Sequence, residues 1–438
     1  MVPNLSSQIA YFKPVKGKQR EAFADGSWKN PKTEGPLGSI RWNGWDKTSV
    51  ASHTGVSHKG ENGYAVAPVD HGTTVSASSC EMLGNRFVNA VVEGRKGTIY
   101  SRLGTKSGFE LECALTGLHM GECGDSMVFG SGMAAVSHPI FALVSAGDNV
   151  VVHKNIYGCS DNFFSMLLPS LGVEARFLDM RNPAALRKAV NSRTRAVFFE
   201  TPSNPALDLI DISAVSGIVK NRCPIIVDNT FASPLGQNPF EQGAHLVMYS
   251  MTKSIGGHTN AIGGAVLGSG EFLAHLFMVR KDVGGIMPAR EASAFLEGIK
   301  TLPLRYSAME KNAQAVVEML LKEDKISQVF YPSLDPSYPK LNGQMKGPGY
   351  MIAFEMKSGI AGGKALIDNL NLITNAVSLG SVETLICHPA STTHACVPQE
   401  QREAKGITDG LIRISIGTEF IADILGDLKQ ALSKVPSP

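Results

Sequence analysis

The chain has 438 residues, 43% of them hydrophobic and 18% charged, with a formal net charge of +2. This length supports a large core divided among two or three structural units, and the near-neutral balance gives no electrostatic case for nucleic acid or an anionic membrane surface. No apolar run approaches a membrane span, the start has no apolar signal core, and the seven cysteines include no C-x-x-C pair, which together read as a cytoplasmic protein with scattered thiols in a reducing compartment.

Residues 1–62 are polar and weakly periodic and read as an extended arm. The chain's only tryptophans, Trp28, Trp42 and Trp45, all lie there, which points to packing against something, such as another subunit. The expected organisation is an arm and subunit-contact segment over 1–95, a large domain over 96–304 and a smaller α+β domain over 305–438. From about residue 110 the texture alternates. DSMVFGSG (125–132) reads as a strand entering a helix over 133–147, followed by strand-like runs in DNVVVHKNIYG (148–158), EARFLDM (174–180), RAVFFETP (195–202), PIIVDNT (224–230) and HLVMYSMTK (245–253). Helical patterns at 183–192 and 212–221 separate several of them, so the pattern predicts βαβ units and a mainly parallel sheet. Beyond LEGIKTLPLR (296–305) come a long helix over 308–323, a strand-like run at 349–356 and two further helical segments.

Ligands of such sheets sit at the carboxyl ends of the strands. Ser131-Gly132, Tyr157, Asn204, Asp228 and Lys253 all fall just past an apolar run. Lys253 stands in Ser250-Met-Thr252-Lys253, after a hydroxyl-rich strand end and before a glycine-rich turn. That setting suits a pyridoxal phosphate (PLP) enzyme, in which a lysine reaches the aldehyde carbon while nearby donors fix the phosphate. Asp228 closes a very apolar strand, and a pyridinium nitrogen is a partner for a buried carboxylate there; a turn or N-cap aspartate is the alternative. Gly132 and Met133 lie where a strand turns into a helix whose first amides suit a phosphate. Tyr157 follows the next strand, where its ring can stack on the pyridine and its hydroxyl can act as acid or base, or where it is a half-buried core tyrosine. Arg413, on an apolar strand-like run, needs an anion: a substrate carboxylate, or Glu419 in an internal salt bridge. CHPASTTHAC (387–396) matches no standard zinc spacing, so no metal is expected.

These motifs, in order, resemble the Cys/Met-metabolism (trans-sulfuration) family of PLP enzymes: YSR (100–102), SGM (131–133), YG (157–158), ETPSNP (200–205), VDNTFASP (227–234), S-x-TK (250–253), SLG (378–380), HPASTTH (388–394) and LIRISIG (411–417). The resemblance covers about residues 66–432 and implies the type I, aspartate aminotransferase-like α/β fold. It implies Lys253 as the Schiff-base lysine and proton shuttle, Asp228 at the pyridine nitrogen, Tyr157 on the ring, and Gly132, Met133, Ser250 and Thr252 at the phosphate. It also implies Tyr100 and Arg102 reaching the phosphate of a neighbouring subunit, hence a homo-oligomer whose active dimers pair into a tetramer, and Ser378 and Arg413 on the carboxylate of an amino-acid substrate. Cys159 after Tyr157-Gly158, and Lys281-Asp282, resemble the methionine γ-lyase branch and place Cys159 on the substrate side. The implied reaction is γ-elimination to 2-oxobutanoate, ammonia and a thiol or other leaving group, with γ-replacement as the alternative. The chain departs from the family pattern at Asp70 and His71, at Thr105 and Lys106, and at Ser254 and Asn260.

Overall fold

In a computed structural model of the chain, the described residues are 45–54, 66, 68–88, 99–119, 124–341, 343–393, 395 and 399–436. Most of the expected arm, Trp28 and Trp42 included, lies outside them. Trp45 is 41% exposed and meets the His53 ring edge-on.

Seven strands build the larger sheet: β1 (Asp125–Phe129), β2 (Asn149–His153), β3 (Glu174–Leu178), β4 (Thr194–Glu200), β5 (Ile225–Asp228), β6 (Leu246–Ser250) and β7 (Gly264–Gly268). Their order is β1-β7-β6-β5-β4-β2-β3. β7 pairs antiparallel with both β1 and β6, and the other pairs are parallel. The reversed strand β7, a five-residue run with glycine at each end, is absent from the sequence expectation. The remaining strands coincide with the expected apolar runs, β4 starting one residue earlier, at Thr194.

Both faces of this sheet are covered, as period-two alternation in fully apolar strands requires. Val151, Val197, Phe199, Val227, Val247 and Tyr249 pack into one core, and Val150, Val152, Phe198, Ile226, Leu246 and Met248 into the opposite one. The helix Lys106–Leu118 and the start of the helix Ala289–Leu320 cover the first face; the helices Gly132–Leu143 and Gly270–Val283 cover the second. The protein is thus α/β with a mainly parallel central sheet, the expected fold class.

A smaller sheet is made of β8 (Ile326–Phe330), β9 (Met351–Met356), β10 (Thr374–Asn375), β11 (Leu385–Cys387) and β12 (Leu411–Ser415), in the order β10-β11-β12-β9-β8. It is antiparallel apart from the β10–β11 pair. The helices Gly359–Ile367 and Ile421–Ser433 pack on it. The expected domain boundary at 304/305 falls inside the 32-residue helix Ala289–Leu320, just after its internal Pro303. Its buried residues serve successive cores: Phe295 and Ile299 the large sheet, Tyr306 and Met309 the junction, Val316 and Leu320 the small sheet.

Candidate active site

All strands of the large sheet except β7 run the same way, so their carboxyl ends open on one edge. Asp228 ends β5, Glu200 ends β4 directly opposite it, and Ser250 ends β6. Asp228 is 9% exposed and accepts a 3.0 Å bond from the Thr230 amide. Burial raises its pKa to about 6. Glu200 is 4% exposed; burial, and then the Asp228 carboxylate beside it, push its pKa well above the ordinary carboxylate range. Two adjacent carboxylates in such a setting call for a cation.

The rest of the site forms a continuous ring of contacts. The Thr230 hydroxyl accepts from the Ser250 amide at 2.9 Å. Ser250 in turn closes on the start of the helix Gly132–Leu143: a Cβ built on Gly132 would lie 2.8 Å from Ser250 Oγ, so only glycine admits this approach. Ser131 caps that helix through a 3.1 Å bond from the Ala134 amide. The amides of Gly132 and Met133 have no intrahelical acceptor, which is the arrangement that suits a phosphate. Thr252 Oγ1 accepts from the Gly263 amide at 3.0 Å, fixing the turn before Lys253. Met133 Sδ accepts from Ser160 Oγ at 3.7 Å, bringing the helix Gly158–Asn162 alongside.

Tyr157 precedes that helix. Its amide donates to Glu200 Oε1 at 2.6 Å, and its ring is 43% exposed. Cys159 Sγ and the Tyr157 hydroxyl share a 3.4 Å hydrogen bond. That bond and burial push the Tyr157 pKa up to about 12, against a downward pull from Arg413. Glu200 Oε2 also accepts from the Asn204 amide at 3.1 Å, and Asn204 Oδ1 accepts from Arg413 Nη1 at 3.0 Å. Arg413, on β12, donates further to the carbonyls of Val377 and Ser378 at 3.0 and 3.1 Å. Lys253 closes the ring: its Nζ donates to Ser378 Oγ at 3.1 Å. Burial, then the Arg413 charge, lower its pKa to about 8.

The structure therefore brings together Gly132, Met133, Tyr157, Cys159, Asp228, Ser250, Thr252, Lys253, Ser378 and Arg413. Glu419 is not the partner of Arg413; it accepts from the Thr384 amide and hydroxyl instead. Tyr100 and Arg102 stand apart from the ring. Tyr100 is 41% exposed, the Arg102 guanidinium lies 5.5 Å from its ring centre, and Arg102 Nη1 donates to the Lys281 carbonyl at 2.5 Å. Glu200 and Thr230 are site residues that sequence reasoning did not assign, and Asn204 was noted there without a role. The signal available for them was their place in the strand-end runs FFETPSNP and VDNT. Of the suspected Cys/His cluster, His394 and Cys396 lie outside the described residues. His388 bonds Ser391 and the Asp409 carbonyl, and among the described residues no group of side chains is arranged to hold a metal ion.

Three of the departures have local structural roles. Thr105 caps the helix Lys106–Leu118 by accepting from the Gly108 amide at 3.0 Å. The Asp70 carboxylate accepts from the amides of Gly72 and Lys106 at 3.3 and 3.4 Å, beside the same helix start, where negative charge is favoured. Ser254 is buried, and its carbonyl accepts from Arg305 Nη1 at 2.8 Å.

Residues 48–433 match the model of the Cys/Met metabolism PLP-dependent enzyme family. The chain belongs to that family. It is similar to the L-methionine gamma-lyase of Fusobacterium nucleatum, at 40% identity over 88% of this chain and 98% of that protein. It is also similar to the cystathionine beta-lyase of Bacillus subtilis, at 34% identity over 89% and 97%. Among solved structures, cystathionine gamma synthase from Xanthomonas oryzae pv. oryzae in complex with cystathionine superposes with a TM-score of 0.82, at 33% identity over 89% of this chain and 98% of that one. The chain is accordingly a PLP-dependent lyase of the Cys/Met family, and its cofactor is pyridoxal 5'-phosphate. The site fits that group: Asp228 is a buried carboxylate wanting a cation, Gly132 and Ser250 frame a helix start whose first amides suit a phosphate, and Lys253 has a pKa lowered to about 8. No helix among the described residues is long and apolar enough to cross a membrane.

Proposed function

We propose that the chain catalyses γ-elimination on a γ-substituted L-amino acid, of which L-methionine is the first candidate. Water and L-methionine would give 2-oxobutanoate, ammonia and methanethiol. The observation that carries this reading is the meeting of Lys253, Ser378 and Arg413: a lysine of pKa about 8 stands beside a guanidinium already fixed by three acceptors. Arg413 and Ser378 hold the substrate carboxylate, which places the Cα proton within reach of the Lys253 amine. When bound, the cofactor supplies an electron sink for the charge left on the substrate carbons. Asp228 serves the pyridine nitrogen, and beside it Glu200, its carboxyl pushed above the ordinary range by burial and by Asp228, ties Tyr157 and Asn204 to the same strand end. Gly132, Met133, Ser250 and Thr252 hold the phosphate, and the Tyr157 ring stacks on the pyridine. Its hydroxyl, pushed up to about 12, stays protonated at neutral pH and so enters as the proton donor to the departing γ-group.

Tyr100 and Arg102, on the exposed side of their segment, are assigned to the phosphate of a neighbouring subunit, which makes the active unit a dimer and the assembly a tetramer of two dimers. The γ-lyase assignment is supported by the 40% identity to an L-methionine gamma-lyase and by Cys159 on the Tyr157 hydroxyl. The fold shared with a cystathionine gamma synthase favours γ-replacement as the second reading. Product analysis separates the two: methionine alone yields keto acid and ammonia if elimination dominates, whereas O-acetylhomoserine plus sulfide yields homocysteine if replacement does. Cystathionine as substrate distinguishes a β-lyase, which releases homocysteine rather than cysteine. Lys253→Ala is expected to remove both turnover and the yellow absorbance; a variant retaining both contradicts the site assignment.

A further inference from the structure

The helix that follows Tyr157 and the segment that leads into β12 meet through an ion pair. Lys405 Nζ lies 2.8 Å from Asp161 Oδ1, with the two side chains 30% and 21% exposed. The same ammonium lies 5.9 Å from the centre of the Phe177 ring on β3, which replaces part of its water shell with an aromatic face. Asp161 belongs to the helix Gly158–Asn162, and its amide donates to the Tyr157 carbonyl at 2.8 Å. Asp161 thus follows Tyr157 by one helical turn. Lys405 follows the helix Gln399–Ala404, and the chain then passes directly into β12 and Arg413. A second approach joins the same two regions: the Thr393 carbonyl is 3.8 Å from the position of a Cβ on Gly158.

We infer that Lys405 and Asp161 are positioning residues for the amino-acid substrate: their ion pair holds the segment entering β12, and with it Arg413, in register with the Tyr157 helix before the substrate arrives. The inference rests on the roles proposed above for Tyr157 and Arg413. Asp161 meets the ring of site contacts only through its backbone bond to Tyr157, and the Lys405–Asp161 ion pair itself lies outside it, so neither side chain is a catalytic residue. Their effect is entropic: a carboxylate site and a stacking face that are already in register bind an amino acid without first being brought together. A part-exposed pair carries a modest interaction that salt screens, which gives the inference its signature.

The test uses the holoenzyme and L-norleucine, an amino acid with an unbranched side chain and no leaving group, titrated against the cofactor absorbance. Asp161→Asn and Lys405→Met are each expected to raise the norleucine Kd, and the methionine KM, about two- to fivefold at low salt while kcat stays within about 1.5-fold. The exchanged pair, Asp161→Lys with Lys405→Asp, is expected to recover most of that loss. Added salt is expected to weaken wild-type binding more than binding by either single variant. Unchanged norleucine affinity in the single variants, or an exchanged pair no tighter than the singles, overturns the inference. Norleucine has nothing to eliminate, so its Kd reports on the ion pair even if methionine is not turned over, an outcome that would count against the proposed reaction alone.

Discussion

Lys253 is suited to its task by two neighbours of different kinds. Burial takes its ammonium out of water and Arg413 adds a like charge nearby, and together they bring its pKa from 10.5 to about 8. Only the neutral amine attacks an aldehyde. The rate at which apoprotein captures pyridoxal 5'-phosphate is therefore expected to rise with pH to a plateau, with a midpoint near 8 in stopped-flow absorbance. The sign follows from the lowered pKa: below the midpoint the folded protein holds the proton, above it the amine is free. A profile rising only toward 10.5 would mean that the burial seen here is not felt by the amine. At this scale the sequence was readable wherever a residue's chemistry was unusual for its setting, as with Asp228 and Lys253 at the ends of apolar strands. It was not readable for Glu200, whose importance lies in long-range partners, the amides of Tyr157 and Asn204 and the facing Asp228, that no local pattern carries.

The loop after Lys253 is held from below by the helix Ala289–Leu320. Arg305 on that helix donates to the carbonyls of Ser254, Ile255 and Gly298, at 2.8, 3.3 and 2.6 Å. Gly257 stands over the clamp with φ +71°, and a Cβ there would collide with the Arg305 guanidinium. Gly257→Ala thus combines an unfavourable left-handed backbone with a clash, and is expected to destabilise the apoprotein by about 1–3 kcal/mol. It should also weaken cofactor affinity, because two of the carbonyls that Arg305 grips, those of Ser254 and Ile255, directly follow Lys253. Thermal unfolding and cofactor titration measure the two effects, and an unchanged cofactor affinity would show the clamp to be unconnected with the lysine. The sequence signals this element only as a glycine-rich turn. The same limit applies to Asp70, Thr105 and Lys106: the sequence displays them as separate departures, and the fold gathers them at one helix start.

The assembly proposed for the whole molecule can be checked by mixing two inactive variants. Lys253→Ala lacks its own lysine but presents an intact Arg102, and Arg102→Ala lacks the reaching arginine but keeps Lys253. Reassociated subunits would place one intact site in each mixed dimer, so activity is expected to return to about a quarter of wild type in an equal mixture. No recovery after demonstrated subunit exchange would confine each site to a single chain. The overall order of strands and helices was legible because alternating apolar runs and helical patterns impose a parallel sheet. β7 was missed because five residues bounded by glycines carry too little pattern to separate from a turn. The change of texture at 296–305 was visible, but its meaning differs: it marks the middle of a helix rather than a seam.

That helix has a mechanical consequence. Because the cores of both sheets and the layer between them draw on one uninterrupted rod, neither half can melt without stripping the other of part of its packing. Denaturant is expected to produce a single coincident transition by circular dichroism and tyrosine fluorescence, with no stage at which one sheet survives alone. Scission of the chain between residues 304 and 305 would break a beam in mid-span, and the segment from 305 onward is expected to remain unfolded when expressed by itself.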